Sequence, residues 1–594
     1  MGAHEKVKVN LLSKGQSWEL FHTTVRANAI LDNPSIRPLA EKVVTQCGGL
    51  PLALITVGRA MANKKLLQEW RAAVEALQDN APELRGMKDR VLKSLKFSFD
   101  WLRTDTLRCC LLYCSLFPGD FEIDREQLVE YWIGEGFTDV GESTSDADMD
   151  RARGRGHTLI TDLEAACLLE RGKSDETNRV KLHDTVRDMA LWLTSGSVQG
   201  YNKKFLVHAR EGPEAPLLGT ERWGDATRIS FMDNWELILP SSIPYCPNAE
   251  TLLMNGNPHT VGVYDALFTS LPMLRVLDLS HTGIAELPAS IGLLVHLQYL
   301  NISLTRMVSL PKELGKLVNL RQLVMRWTRN LRRIPLEAFL PLSRLQSLNM
   351  SGSHYSWRWE LTESDAEQQR GACLRDLERL DGLSELGLDI TTSDCLNGLL
   401  SSRRFTRSMR FLSLLVVDGL TPSRLQAALS SMEKLQVLRL SHCAQVEELR
   451  FTADQVQSLV TLVLSSLPLS RVVVDGEAPL RCLRRLEITG CHSLRHITWA
   501  GRLPCIESIV VSCFDSMEEL LEGDEVDVVE GRPFPMLRMM NLRLLPMLKS
   551  IAPTPIAFFR ESQGLLLPRA EEASIWSQQC RKDQVDRWRA GMHT

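Results

Sequence analysis

Few residues in this 594-residue chain have the types and spacing that chemistry needs. A phosphate-binding loop requires G-x-x-x-x-G-K-[ST], so that backbone N–H groups and one Lys can cradle the anion. Gly172-Lys173-Ser174 supplies the last three letters, but Cys167 stands where the first glycine belongs. Leu414-Leu415-Val416-Val417-Asp418 imitates a strand ending in a metal-holding Asp, yet it falls inside a repeat array. No G-x-S-x-G, H-E-x-x-H or kinase set occurs. The chain is therefore not expected to be an enzyme. The 14 cysteines include no C-x-x-C pair and are too few for a disulfide scaffold. Cys109, Cys110 and Cys114 lie in an apolar stretch and read as buried, reduced thiols. Cys443 and Cys491, with His442 and His492 beside them, read as a packing ladder rather than a metal site.

Composition narrows the classes further. Hydrophobic residues make up 44% and charged residues 24%, which is a globular balance. A net charge of −4, from 69 basic and 73 acidic side chains, leaves no basic footprint for nucleic acid. No secretory signal is visible at the start, and residue 6 is Lys where a myristoylation site needs Ser or Thr. No apolar run reaches the length of a membrane span. The expected placement is cytoplasmic, with peripheral attachment to the plasma membrane as the other placement.

The elements that must position any site follow two rhythms. Residues 1–200 read as mostly helical. Leu39 to Val44 has helical spacing and runs into Cys47-Gly48-Gly49, a C-terminal stop. Pro51 then suits a first turn, because its missing N–H would be unpaired there. Trp70, Val74 and Leu77 mark a further helix, and helices are expected at 90–101, 105–116, 124–134 and 151–168. Residues 141–150 read as a polar loop. Leu168 to Arg171 and Arg179 to Leu182 flank a polar turn and read as a hairpin. Helices followed by a hairpin suggest a winged helix over 85–200. Its candidate recognition segment, 124–137, is acidic, so DNA phosphates would repel it.

From about residue 249 the pattern L-x-x-L-x-L recurs. It appears as Leu274/Leu277/Leu279, Leu297/Leu300/Ile302, Leu320/Leu323/Met325 and Leu345/Leu348/Met350, with starts 23, 23 and 25 residues apart. It resumes from Leu383/Leu386/Leu388 to Ile506/Ile509/Val511, and Leu537/Met540/Leu542 is a late unit. This is the leucine-rich-repeat signature and period. One repeat cannot bury its leucines alone, whereas stacked neighbours share a core. Strands about 4.8 Å apart would make a curved parallel sheet on the order of 60 Å long. Segments 351–382 and 512–536 break the rhythm and read as loops or insertions. The intervening strand positions point away from the core. Arg275, Asp278, Tyr299, Asn301, Arg321, Gln322, Arg439 and Arg484 on that concave face are the candidate protein-binding residues.

The first half also carries recognisable motifs. Gly48-Gly49-Leu50-Pro51-Leu52-Ala53-Leu54 resembles the GLPL motif of plant NB-ARC proteins. Leu111 to Pro118, with Phe121-Glu122-Ile123 and Leu128 to Phe137, resembles the motif late in their nucleotide-binding region, in the version typical of the coiled-coil class. Val180 to Ala190 is similar to their MHD motif, with Leu182 in place of Met. Ser17-Trp18-Glu19-Leu20-Phe21 is similar to their AWELF segment, with Ser for Ala. Four motifs in family order, followed by repeats, resemble a nucleotide-binding leucine-rich-repeat disease-resistance protein over about residues 1–550.

The resemblance implies an α/β fold: an α-helical ARC1 remnant and a winged-helix ARC2, followed by a leucine-rich-repeat solenoid in a parallel-sheet horseshoe. Residues 1–10 would be the last strand of a nucleotide-binding subdomain, 11–84 ARC1, 85–200 ARC2, 201–552 the solenoid and 553–594 a divergent tail. It implies an immune receptor built as an ADP/ATP switch, held closed by ADP and opened by a pathogen signal. Its repeats would recognise a pathogen effector or a guarded host protein. By resemblance Pro51 packs against adenine and His183 reaches the β-phosphate, with Leu50 and Asp184 beside them. The P-loop, metal-binding strand and arginine sensor of such proteins would lie upstream of Met1. ADP or ATP binding is therefore expected to be weak or absent in this chain, and oligomerisation to need the upstream part. Two alternatives stand beside this reading. One is a nucleotide-independent interaction module or decoy. The other is a non-functional gene fragment, suggested by a tail from Glu561 without repeat rhythm.

Overall fold

The computed structural model describes residues 11–25, 28–79, 87–138, 146–173, 178–196, 203–210, 223–235, 237, 239, 243–360, 371–452, 455–475, 480–522, 534–549, 551 and 565–566. The strand expected over 1–10 and nearly all of the tail lie outside them. The chain forms two compact units, residues 1–301 with 316–322, and residues 302–315 with 323–594.

The first unit opens with helices α1 (Lys14–Val25), α2 (Asn28–Leu31), α3 (Arg37–Gln46), α4 (Pro51–Met61), α5 (Leu67–Asp79) and α6 (Met87–Asp100). Their apolar stripes close on one core that includes Phe21, Val43, Leu54, Val57 and Trp70. Gly58 lets α4 approach α1, since a Cβ there would sit 2.9 Å from the Thr24 methyl. Gly49, at φ +74°, turns the chain from α3 into α4, and a side chain there would meet the Leu12 carbonyl at 2.6 Å.

Next come α7 (Asp105–Cys114), β1 (Glu122–Asp124), α8 (Arg125–Glu135), α9 (Asp146–Ala165), β2 (Glu170–Arg171), β3 (Arg179–Lys181) and α10 (Asp184–Leu193). The hairpin β2–β3 is antiparallel as expected, but β1 joins it to give the order β1-β3-β2. With Ile123 its lone apolar residue, β1 has no alternation to detect. Helix α9 begins at Asp146, so 146–150 is helical rather than loop, and 141–145 lies outside the described residues. Helix α8 is buried almost all round. Such a helix needs cover on more than one side.

The unit ends in parallel strands β4 (Lys204–Val207), β5 (Ala226–Ser230), β6 (Thr251–Leu253), β7 (Val276–Asp278) and β8 (Tyr299–Asn301). Strands β4 and β5 precede the first L-x-x-L-x-L match. They bury Leu206, Ile229 and, just beyond β5, Phe231, so the leucine count misses them.

Strand β9 (Gln322–Val324) falls where the chain passes from one unit to the other. The second unit carries β10 (Ser347–Asn349), β11 (Glu385–Ile390), β12 (Met409–Leu415), β13 (Val437–Ser441), β14 (Glu448–Phe451), β15 (Thr461–Ser465), β16 (Arg471–Val474), β17 (Arg485–Thr489), β18 (Ser508–Ser512), β19 (Met539–Arg543) and β20 (Leu565–Leu566). Strands β10 to β13, β15 and β17 to β20 pair in parallel; β14 and β16 form a second parallel pair. Register puts Leu412, Leu438, Leu462, Leu486, Ile509 and Met540 in one ladder, and all are buried. Each such side chain contributes roughly 1.5–3 kcal/mol of burial, and a one-residue slip would expose the whole row. This is the leucine-rich-repeat solenoid fold.

The turn out of each strand also repeats. His281, Leu304 and Trp327 all have φ between +54° and +57°. The Thr that follows each donates its hydroxyl to the carbonyl three residues back: Thr282 to Leu279 at 2.7 Å, Thr305 to Ile302 at 2.7 Å and Thr328 to Met325 at 2.9 Å. These bonds offset part of the cost of a left-handed side-chain residue, which is about 1–2 kcal/mol.

Candidate functional site

The polar chemistry of the first unit concentrates where α8 meets the outward side chains of β5 to β8. Asp124 caps the start of α8, accepting from the Gln127 N–H at 3.0 Å. Gly136, at φ +82°, closes its end, with the Gly136 N–H on the Ile133 carbonyl at 3.0 Å and the Phe137 N–H on the Trp132 carbonyl at 2.9 Å. Gly156 of α9 lies against Val129 on one side of α8. On another side Gly134 lies on the strands, where a Cβ would stand 2.9 Å from both Tyr299 Cβ and Val276 Cγ2.

That approach brings the end of α8 into a buried network. Arg228 of β5, 1% exposed, donates through Nε to Glu135 Oε1 at 2.9 Å and through Nη2 to Oε2 at 2.5 Å. Thr251 donates its hydroxyl to the same carboxylate. Glu250 meets Arg228 at 3.2 Å. The rings of Phe205, Phe137 and Tyr113 lie 5.3–5.8 Å from the guanidinium. Burial works against the Arg228 charge, but the field and hydrogen bonds of Glu135 outweigh it and hold its pKa above the ordinary arginine value. Arg275 donates to the Glu135 backbone carbonyl at 3.2 Å, which suits a cation at a helix C-terminus.

One turn earlier, the Tyr131 hydroxyl donates to Asp278 Oδ2 at 2.6 Å, and Asn301 Nδ2 donates to the same oxygen at 2.9 Å. The Ser280 N–H donates to Oδ1 at 2.7 Å. Burial pushes the Asp278 carboxyl above its usual value, opposed by these bonds. Tyr131 and Tyr299 pack edge to face at 5.3 Å. Gln322 donates to Glu130, which also holds Arg153.

The expected open face does not hold at these positions. Asp278, Tyr299, Asn301 and Gln322 are buried, and α8 and its neighbours take up the polar groups read as partner contacts. Arg275 is committed to the end of α8. Arg321 is half-buried in the same unit. In the second unit Arg484 pairs with Glu507 at 3.2 Å. Arg439 lies in a groove on the outward strand face, lined by Arg326, Phe411, Val437, Arg485 and Glu487 among others. Sequence reasoning missed Glu135, Arg228 and Tyr131. The available signal was a carboxylate closing the apolar run Tyr131-Trp132-Ile133-Gly134, which demands a partner if that run is buried.

Pro51 is exposed at the first turn of α4, with Leu50 half-buried before it. His183 caps α10, its Nδ1 accepting from the Thr185 N–H at 3.1 Å, and Asp184 is exposed beside it. The bond assigns the neutral ring proton to Nε2. Helix α6 packs against both α4 and α10.

Cys110, Cys114, Cys443 and Cys491 are buried, and burial raises their thiol pKa values, that of Cys114 to about 12. The Cys443 thiol points at the Leu414 carbonyl, 3.7 Å away, on the preceding strand layer. Among the described residues no helix is long and apolar enough to cross a membrane.

A winged helix joined to leucine-rich repeats defines the class of protein. The family model for the disease resistance protein winged helix domain matches residues 116–190, and that for a leucine-rich repeat region matches 266–554. The chain is 31% identical to probable disease resistance protein At1g61300 of Arabidopsis thaliana over 94% of its length and 68% of that protein's. It is 31% identical to probable disease resistance protein At1g12290 and 32% to disease resistance protein SUMM2, both of Arabidopsis thaliana, over 94% of its own length. It spans 58% of the length of each of these two. The chain belongs to the family of plant disease resistance proteins.

Proposed function

We propose that this chain is the sensing and latching part of a plant immune receptor. Its repeats recognise a pathogen effector or a guarded host protein, and the docked α8 is the element that such binding releases. The observation that carries this reading is the buried Glu135–Arg228–Thr251 network. Removing one member of a buried ion pair costs about 3–5 kcal/mol, so the docked form is a defined state and not a loose contact. A partner opens it only by binding the undocked form more tightly, by at least the free-energy difference between the forms.

In the same reading ADP favours the closed form. When bound, it supplies a diphosphate whose charge a hydrogen-bond donor can grip. Pro51 offers an exposed apolar ring to adenine, and His183 carries its proton on Nε2, ready to donate to a phosphate oxygen. This sequence has no P-loop. Its ADP affinity is therefore weak, because backbone amides and a Lys supply most phosphate affinity. Titration calorimetry with ADP and magnesium tests the nucleotide part. Saturable binding lost in His183→Ala supports the switch. No binding, with α8 still docked, favours the nucleotide-independent interaction module instead.

A further inference from the structure

The groove around Arg439 has a chemistry of its own. Other arginines on the strands of the second unit face carboxylates: Arg410 meets Glu385 at 3.1 Å, Arg484 meets Glu507 at 3.2 Å and Arg485 meets Glu487 at 3.6 Å. The Arg439 side chain makes no ion pair and no hydrogen bond among the described residues, and only the field of Glu487 and Asp389 favours its charge. Its guanidinium lies over the indole of Trp327, 4.7 Å from the ring centroid. Arg329 approaches the same indole at 5.3 Å. The indole is held in place from below, since a Cβ on Gly352 would lie 2.6 Å from its ring atoms. Arg326 sits over Phe411 at 5.8 Å, on the same groove wall. Half-buried Arg439 thus keeps a fixed position, a full charge and unused N–H donors. Burial and the neighbouring Arg326 both work against that charge. An incoming anion would relieve them.

We propose that this groove binds an extended acidic segment of a protein partner, with one carboxylate seated on Arg439. Apolar side chains of that segment lie against Phe411, Val437 and Val463, which line the groove floor. Charge complementarity selects the occupant: Arg326, Arg439 and Arg485 face it against one carboxylate, Glu487, which Arg485 already engages. Bidentate contact with a carboxylate suits a planar guanidinium that stacking has already oriented. A nucleic acid is disfavoured, because Arg410, Arg484 and Arg485 are each paired with a carboxylate and the chain is net acidic, at −4. The inference rests on reading the repeats as a recognition surface, and it names the chemistry of what they recognise.

The test is fluorescence anisotropy with a labelled peptide of about twelve residues, built from Asp, Glu, Val, Phe and Gly. A twin carries Asn and Gln in place of the acids. Binding of the acidic peptide about tenfold or more tighter than its twin is expected, weakening as salt rises from about 50 to about 300 mM. Arg439→Gln is expected to remove that preference and Arg439→Lys to keep part of it, both with unchanged melting temperature. Trp327→Ala is expected to weaken it by loosening Arg439. Equal affinity of the twins, no saturable binding by either, or full affinity in Arg439→Gln overturns the proposal. So does an oligonucleotide of similar length binding as tightly as the acidic peptide. Hydrogen exchange of α8, measured on the same samples, separates the two readings. Retained α8 protection with no acidic preference overturns only the partner chemistry, whereas an unprotected α8 overturns the latch.

Discussion

The Tyr131 hydroxyl of α8 donates to the buried Asp278 carboxylate of β7 at 2.6 Å. The two residues are 147 positions apart, in the winged helix and in a repeat strand. This bond and the Glu135–Arg228 pair tie the same helix to β7 and β5, and Thr251 ties Glu135 to β6 between them. Asp278, Asn301 and Gln322, read from the sequence as partner contacts, are thus engaged within the first unit.

Tyr131→Phe keeps the ring packing and removes the donor. Asp278 retains Ser280 and Asn301, so the loss is that of one charge-assisted bond, about 1.5–3 kcal/mol. Amide exchange in α8 should quicken by roughly ten- to a hundredfold. Exchange unchanged from wild type would show that the bond holds nothing in place.

Asp278 also sets a pH dependence. Its carboxyl pKa in the folded chain lies above the ordinary value because the group is buried. The folded state therefore binds this proton more tightly than the unfolded state does. The stabilisation from that proton is fully present below an ordinary carboxylate pKa of about 3.9. It is lost as pH rises through the higher folded value. Asp278→Asn lacks this term. The stability difference, wild type minus Asp278→Asn, should fall as pH rises from about 4 towards 7. Urea titrations followed at the first unit check the sign, and a difference that rises with pH contradicts it.

Gly134→Ala distinguishes a docked α8 from a free one by sign. In a solvent-facing helix Ala stabilises relative to Gly by up to about 1 kcal/mol. Here the new methyl would stand 2.9 Å from Tyr299 Cβ and Val276 Cγ2. Overpacking of this kind costs about 1–3 kcal/mol. A lower midpoint in thermal or urea unfolding of the first unit is expected, and a higher midpoint would mean the helix is not against the strands.

Gly352→Ala should loosen Trp327 without touching the leucine ladder. Gly352 has φ +75°, and the indole occupies the space a Cβ would need. The expected cost is about 1–3 kcal/mol. Faster amide exchange should appear around Trp327, with that of β17 and β18 unchanged. Uniform loosening of the whole unit would contradict the local role.

The repeats were legible because their physics is periodic. A leucine at a fixed offset must point inward in every turn, so Leu277, Leu300, Leu438 and Leu462 could be placed from spacing alone. Strands β4 and β5 were harder, because Phe205 and Phe231 stand near positions where the pattern looks for leucine. The winged helix followed from helix stops and a polar hairpin, apart from β1, which is too short to show a period. What covers a face is not written in the face. Asp278, Tyr299, Asn301 and Gln322 are polar and outward, which reads the same whether solvent, a partner or another part of the chain lies above them. The hint lay in the second half of α8: Tyr131-Trp132-Ile133-Gly134 is an apolar run closed by Glu135, and a carboxylate buried at the end of such a run has to find a cation.

Docking of α8 through Glu135 and Arg228 is tested most directly by exchanging the two charges. Glu135→Arg sets two guanidinium groups against each other in a buried site, and Glu135→Arg with Arg228→Glu restores an opposite pair there. Hydrogen exchange of α8 and β5 to β7 is the readout. Loss of protection in the single variant, with most of it regained in the swap, is the predicted result; equal protection in wild type and Glu135→Arg would contradict the docking.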